Sequence, residues 1–312
     1  MVIDIAPVPA EAPAPPDPSE EPAPSPQRVG PPAPGLVTIA LSAVMVLGVV
    51  TVFFGLFAFG LSGLQEERSQ HLLYAQFRGL VNPSSPVAPR VGGAIPAGTP
   101  VALVDVPRIG LHDVVIVEGT SSGVLLAGPG HLRSSPLPGQ VGQSVIVGKS
   151  TTAGAPFASL GELRRGDAIT VRTGQGKFDY VVRGLVPAGE RPPPVRGGGS
   201  ALLLTTSGSV GSGGVTPSHL IYVDAVLHGK AVPVPAHQPR TVATSELPGH
   251  SDPGSWPLFA GWLAAVIAGT AATWWLWARW RLLRTWLIAA PILLGLLWGL
   301  SNAGMRFLPN TY

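Results

Sequence analysis

The sequence predicts a mainly β domain, a barrel or a sandwich, with membrane-spanning helices on either side of it. Three observations carry that reading. Charged residues make up 12% of the 312-residue chain and hydrophobic ones 46%, a balance that points to a membrane protein. Three apolar stretches, at residues 36–62, 257–278 and 286–303, are long enough to cross a bilayer. Between the first and the second, short β-rich runs recur between turn signals.

Residues 1–35 are rich in Pro, Ala and Glu and bury too little apolar surface to offset their chain entropy, so a disordered, partly polyproline tail is expected. The stretch from Leu36 to Ser62 is uncharged, too long and too late in the chain for a signal peptide, and reads as a retained anchor. Residues 63–97 read as a stalk. Gln65 to Phe77 has a helical pattern, with Leu72, Leu73 and Phe77 on one side, and the following VNPSSPVAPRVGG breaks regular structure.

Residues 98–229 form the β domain. Its runs are VALVDVPRI, DVVIVEG, QSVIVG, AITVRT, FDYVVRGLV, ALLLTTS and HLIYVDAVL. ITVRT alternates in the manner of a half-buried strand, whereas VIV and LLL suit strands covered on both faces. A short helix is expected within Phe157 to Leu163. A Pro-, Ser- and His-containing linker follows at 230–255, then the two C-terminal spans and a tail at 304–312. Arg279, Arg281 and Arg284 lie between those spans and mark that loop as cytoplasmic. The N-terminus is then cytoplasmic, and the β domain and the C-terminal tail are extracytoplasmic. Trp274, Trp275, Trp277, Trp280 and Trp286 gather near the same loop, as interfacial anchors do. Gly261, Gly269, Gly295 and Gly299 offer small surfaces for helix packing.

The net charge of +3 is small and its basic residues are scattered, so no nucleic-acid partner is expected. The chain has no cysteine, which excludes disulfides, thiolate metal sites and thiol nucleophiles. His71, His112, His228, His237 and His250 lack metal-ligand spacing and no acidic cluster suits calcium, so neither a metal nor a cofactor is expected.

Several ordered blocks carry a resemblance. VDVPRIGLHDVVIVEGTSS, GPGHLRSSPLPGQVGQSVIVGKSTTAGAPFASLGELRRGDAITV and LLLTTS resemble the sortase family, most of all its actinobacterial, class E-like branches. The resemblance spans about 130 residues, Val101 to Leu227. It implies a closed eight-stranded β-barrel with a groove at the ends of the catalytic strands. In the family a Cys attacks the Thr-Gly bond of a sorting peptide, a His moves protons and an Arg supports the oxyanion. The matching positions here hold Ser207, Lys149 and His219, so no part of that set is intact. Ser150, Thr205 and Thr206 flank them and, with His131 of the GPGH block, are the groove candidates; for His131 a loop-fixing role is expected over a catalytic one.

A serine hydroxyl needs a base, and a protonated lysine is not one. The leading expectation is therefore a pseudoenzyme, a binding or scaffolding module on the outer membrane face whose groove takes an extended peptide or an envelope or membrane protein. An acyl-transfer enzyme built on a Ser207/Lys149 pair is an alternative, because serine with a neutral lysine is a working catalytic solution. A structural subunit that makes its contacts through the helices is another. Leu308, Pro309, Asn310 and Thr311 resemble the first four residues of the LPxTG sorting motif, and one expectation is that this tail enters the groove.

Overall fold

The computed structural model describes residues 35–82, 93–187, 190, 192–195, 197–209, 217–235, 241–279 and 282–312. The expected disorder of the N-terminal tail, the segment at 83–92, residues 210–216, Trp280 and Arg281 lie outside the described residues. The chain divides into two units, Met1–Val46 and Leu47–Tyr312. The described part of the first is Gly35 and the opening turns of helix α1, whose apolar side chains, such as Val37 and Leu41, are exposed. All that follows from Leu47 onward belongs to the second.

Eight strands close into one barrel in the order β1-β2-β3-β4-β7-β8-β6-β5. They are β1 Pro100–Val106, β2 Leu111–Glu118, β3 Gly130–His131, β4 Gly142–Val147, β5 Ala168–Thr173, β6 Gly176–Val186, β7 Ser200–Ser209 and β8 Pro217–Leu227. Two pairings are parallel, β2 with β3 and β4 with β7; the others are antiparallel. The seven runs seen in the sequence are β1, β2 and β4 to β8. The eighth strand, β3, has two residues and leaves no periodic trace, yet it carries the closure between β2 and β4. The helix expected within 157–163 is a single 3-10 turn, Leu160–Glu162.

Alternation sorts the side chains. In β5, Ile169 and Val171 point into the core and Ala168 faces out. They join Val104, Ile116, Ile146, Phe157, Tyr180, Leu202, Leu204 and Val223 in one cluster that fills the barrel. Tyr180 is fully buried and its hydroxyl is satisfied there: it accepts from the Gly139 N–H at 2.6 Å and shares a proton with Ser200 Oγ at 3.0 Å.

The stretch read as a stalk is largely helical. Helix α1, Leu36–Leu56, runs through a π-turn at Phe57–Leu61 into α2, Ser62–Val81. Phe77 of α2 is buried against Leu103 and Val115, with Leu73 and Tyr74 beside it. Gln70 fixes the register. Its Oε1 accepts from the Val115 N–H at 2.7 Å, and its Nε2 donates to Val115 O at 3.2 Å and Ala127 O at 2.8 Å. Helix α2 is thus a strut seated on β2.

Helices α3, Trp256–Arg279, and α4, Leu282–Gly304, pack against each other. Gly299 lies under the Trp262 ring and Gly269 under Leu296, so a Cβ at either would collide with its neighbour. Gly261 and Gly295 meet nothing within 4 Å. Among the described residues, three helices are long and apolar enough to cross a membrane, Ala40–Val81, Pro253–Trp277 and Thr285–Phe307, consistent with a membrane protein.

The described part of the linker region lies against the barrel. Val232 bridges to Gln140, and Glu246, in a 3-10 turn at Thr244–Glu246, is buried and paired with both Arg133 nitrogens that face it. Thr120 Oγ1 donates to Glu246 O. A polar, Pro-rich sequence hides this, because Arg133 and Thr120 lie 113 and 126 positions upstream of Glu246.

Candidate functional site

The site is built by the parallel pairing of β4 and β7. The register sets Val147 against Thr205, so the chain leaving β4 runs beside the end of β7. The Gly148 N–H donates to Thr205 O at 3.0 Å, and Thr206 Oγ1 donates back to Gly148 O at 2.8 Å. Gly148 has to be glycine, since an added Cβ would lie 2.4 Å from the Phe157 ring, which is fully buried. This clamp places Lys149 and Ser150 next to Ser207. Strand β8 runs antiparallel to β7, with Leu220 opposite Ser207 and His219 opposite Gly208. Lys149, Ser150, Thr205, Thr206, Ser207 and His219 therefore gather at one end of the barrel.

Their surroundings differ. Lys149 is 1% exposed, and burial pushes its ammonium down from 10.5 to about 7. Ser207 is 5% exposed and its Oγ lies 2.8 Å from Ser150 Oγ. Thr205 and Thr206 are buried. His219 is exposed, with its ring over Gly208. Among the described residues no hydrogen bond joins Lys149 to Ser207.

The segment after α4 lies in this space. It makes a 3-10 turn at Met305–Phe307 and then seats Leu308 against Phe57, Ala58, Leu126, Ala153 and Met305. The Tyr312 N–H donates to Pro309 O at 3.0 Å, so Pro309–Tyr312 is a β-turn rather than an extended strand. Three donors surround the Thr311 carbonyl oxygen: Ser207 Oγ at 2.8 Å, the Ser150 N–H at 3.1 Å and Ser150 Oγ at 3.2 Å. The Tyr312 main-chain oxygen accepts from Thr152 Oγ1 at 2.7 Å and Lys149 Nζ at 3.3 Å. Asn310, Thr311 and Tyr312 are all buried. Hydrogen-bond donors converging on one acyl oxygen in a dry site hold a carbonyl firmly and would stabilise negative charge on it.

The loop that supplies Thr152 is strained. Ala153, Gly154 and Ala155 all have left-handed φ, at 51°, 71° and 47°. The Ala153 N–H is held by Ser62 Oγ at 3.0 Å and the Ala155 N–H by Thr152 O at 3.1 Å.

His131 belongs to a different cluster. Its Nδ1 lies 2.9 Å from Glu118 Oε2, while its Nε2 lies 3.0 Å from Pro136 O and 3.1 Å from Ser135 Oγ. Both residues are buried, opposite each other on β2 and β3. The contact ties the two-residue strand into the barrel. Thr120, Thr152 and the 247–250 segment also border the tail, and the sequence reading did not single them out. Their contributions are mainly backbone atoms or one hydroxyl, which leave no motif.

A closed eight-stranded barrel whose parallel β4 and β7 present polar residues side by side, where a peptide carbonyl is held, defines a protein of the sortase type. The chain carries a sortase domain: residues 104–208 match the family's sequence model, described as "Sortase domain". Sortase D of Bacillus subtilis (strain 168) is 34% identical over 80 residues, 26% of this chain and 38% of that protein. Among solved structures, a Clostridium perfringens sortase transpeptidase is 20% identical, with 52% of this chain and 99% of that one covered and a TM-score of 0.42. Sortase E from Streptomyces avermitilis is 30% identical, with 43% and 91% covered and a TM-score of 0.36.

Proposed function

We propose that this protein is a pseudo-sortase, a membrane-held sortase-family barrel that binds a peptide segment in its groove without cutting or transferring it. Its place is the cell membrane of an actinobacterial envelope, spanned several times, with the barrel outside and the N-terminus in the cytoplasm. The orientation rests on the basic loop between α3 and α4. The observation that carries the function is the chemistry around the held carbonyl. A serine hydroxyl stands where the family has its thiol, the adjacent lysine donates to Tyr312 O rather than to that serine, and His219 offers no permanent charge. The donors suit holding a peptide carbonyl, and among the described residues the hydrogen bonds of Ser207 Oγ run to Ser150 Oγ and Thr311 O, neither of which is a base.

One observation favours a second reading. With its pKa near 7, Lys149 is neutral in a large share of molecules at neutral pH and is then able to accept a proton. In that reading the Ser207 Oγ–H proton passes to Lys149 Nζ while Oγ bonds to an acyl carbon and expels an amine, which takes the proton back. The missing Lys149–Ser207 hydrogen bond speaks against it.

The test uses the full chain in detergent and a form lacking residues 308–312, each given a serine-directed fluorophosphonate and fluorescent Leu-Pro-Asn-Thr peptides. Peptide binding with no labelling or turnover supports the pseudo-sortase. Labelling or turnover lost in both Ser207→Ala and Lys149→Ala would replace it with the acyl-transfer reading. A folded tail-less protein that neither binds nor reacts would end both.

A further inference from the structure

What a peptide groove selects is set by the atoms that line it, and here they converge on one residue. Asn310 is 0% exposed, and its side-chain amide has every partner it needs from the backbone. Nδ2 donates to Thr120 O at 2.7 Å and Leu247 O at 3.0 Å, and Oδ1 accepts from the Gly249 N–H at 2.8 Å. One amide orientation alone satisfies all three, because two carbonyls face the nitrogen and an N–H faces the oxygen. The Asn310 N–H itself donates to His250 O at 2.8 Å.

We propose that the groove is an asparagine-reading peptide site, occupied in cis by the chain's own Leu308–Tyr312 segment. Its ligand class is a Pro-Asn-Thr turn, whether from this segment or from a free peptide that displaces it. Two walls make the reader. Thr120 follows β2 of the barrel. Leu247, Gly249 and His250 follow the 3-10 turn that the buried Glu246 pins through Arg133 and Thr120 Oγ1. The reader's atoms are thus fixed by the fold and do not depend on side-chain rotamers.

Other side chains fail here for stated reasons. Alanine leaves two carbonyls and one N–H buried without partners. Aspartate keeps the acceptor for Gly249 but sets a carboxylate oxygen against two carbonyls. The cis segment is also delivered in place: Ser122 Oγ donates to Met305 O at 3.0 Å and the Asp252 N–H to Arg306 O at 3.0 Å, just before the turn. A tethered ligand held at millimolar effective concentration outcompetes free peptide of equal chemistry.

The inference rests on the peptide-groove reading, and the test separates the two. Binding of fluorescent Leu-Pro-Asn-Thr-Tyr is measured by anisotropy on the full chain, on Asn310→Ala and Asn310→Asp of the full chain, and on a form lacking residues 308–312. A peptide with Ala for Asn is the comparison, and melting of each protein is recorded. The tail-less form and both Asn310 variants are expected to bind the Asn peptide at least ~10-fold tighter than the unaltered chain. The Ala peptide is expected to bind the tail-less form at least ~30-fold weaker than the Asn peptide. Both Asn310 variants are expected to melt below the unaltered chain, Asp the lower. Equal binding of the Asn and Ala peptides overturns the asparagine reading and leaves the peptide groove intact. No binding of either peptide, with Asn310 variants that still melt lower, supports the cis contact and ends the free-peptide reading. Asn310 variants that match the unaltered chain in both melting and binding overturn the cis occupancy.

Discussion

Two buried polar clusters sit in this barrel, and they are satisfied by different means. Around His131, every partner comes from the barrel: Glu118 across the β2–β3 pair, and Ser135 and Pro136 from the next loop. Around Ser207, the partners are Ser150 from the barrel and Thr311 from the segment after α4. The first cluster is part of what makes the barrel close. The second is complete only while another stretch of chain lies in the groove. Both clusters obey the rule that buried polar groups are hydrogen-bonded, one through the barrel alone and the other through the C-terminal segment as well.

The comparison breaks hardest at Glu118. Glu118→Ala removes the carboxylate from a buried pair and leaves His131 Nδ1 without its partner. It is expected to cost about 3–5 kcal/mol by denaturant unfolding. A cost under about 1 kcal/mol would show that the His131 cluster does not hold β3 in place.

Removing residues 308–312 is expected to cost less, about 2–3 kcal/mol, since the lost hydrogen bonds are partly offset by freed chain entropy. Its signature is regional. Amide exchange should rise at 148–152 and 247–250 and stay unchanged at 116–119 and 130–132. Equal change in both regions would mean that the two clusters are one cooperative unit.

Lys149 sharpens the same contrast through pH. The unfolded lysine keeps its proton up to about 10.5, whereas the folded one releases it above about 7. The native chain therefore binds fewer protons in that window, and burial of Lys149 costs stability that grows as pH falls from 10.5 to about 7 and is constant below. Lys149→Met is expected to gain about 2 kcal/mol over the parent at pH 6. That advantage should shrink steadily above pH 7 and vanish by about 10.5, where only the lost bond to Tyr312 remains. A pH-independent difference would show that the lysine is not desolvated.

The smallest effect concerns the strained loop. Ala155→Gly removes the Cβ from a left-handed residue at φ 47°. The relief of about 1–2 kcal/mol is largely offset by glycine's extra entropy in the unfolded chain, leaving a gain of about 0.5 kcal/mol in melting experiments. A loss would mean that the alanine methyl packs more than it strains.

Much of this was legible in the sequence, for physical reasons that differ by element. The β-rich runs mark seven strands because period and β-branching are local properties. Gly130–His131 leaves no such mark, because two residues have no period. Closure was carried by the resemblance, since the pairing of β4 with β7 joins residues far apart in sequence. The groove residues Lys149, Ser150 and Ser207 were found through ordered blocks around them. The Leu-Pro-Asn-Thr string was visible as a string, but its turn and its partners were not. Those partners are the backbone of Thr120, Leu247 and Gly249, and backbone atoms carry no side-chain signature. Residues 244–250 looked like linker because the residue that pins them, Glu246, meets Arg133 across 113 positions.

The absence of cysteine also sets how this groove meets oxidants. Sulfenic acids, mixed disulfides and glutathione adducts all start from a thiolate, and the groove offers hydroxyls in its place. Among the described residues the sulfur beside this segment is the thioether of Met305, which is fully enclosed. Oxidants that modify a thiolate leave these hydroxyl donors in the same chemical state.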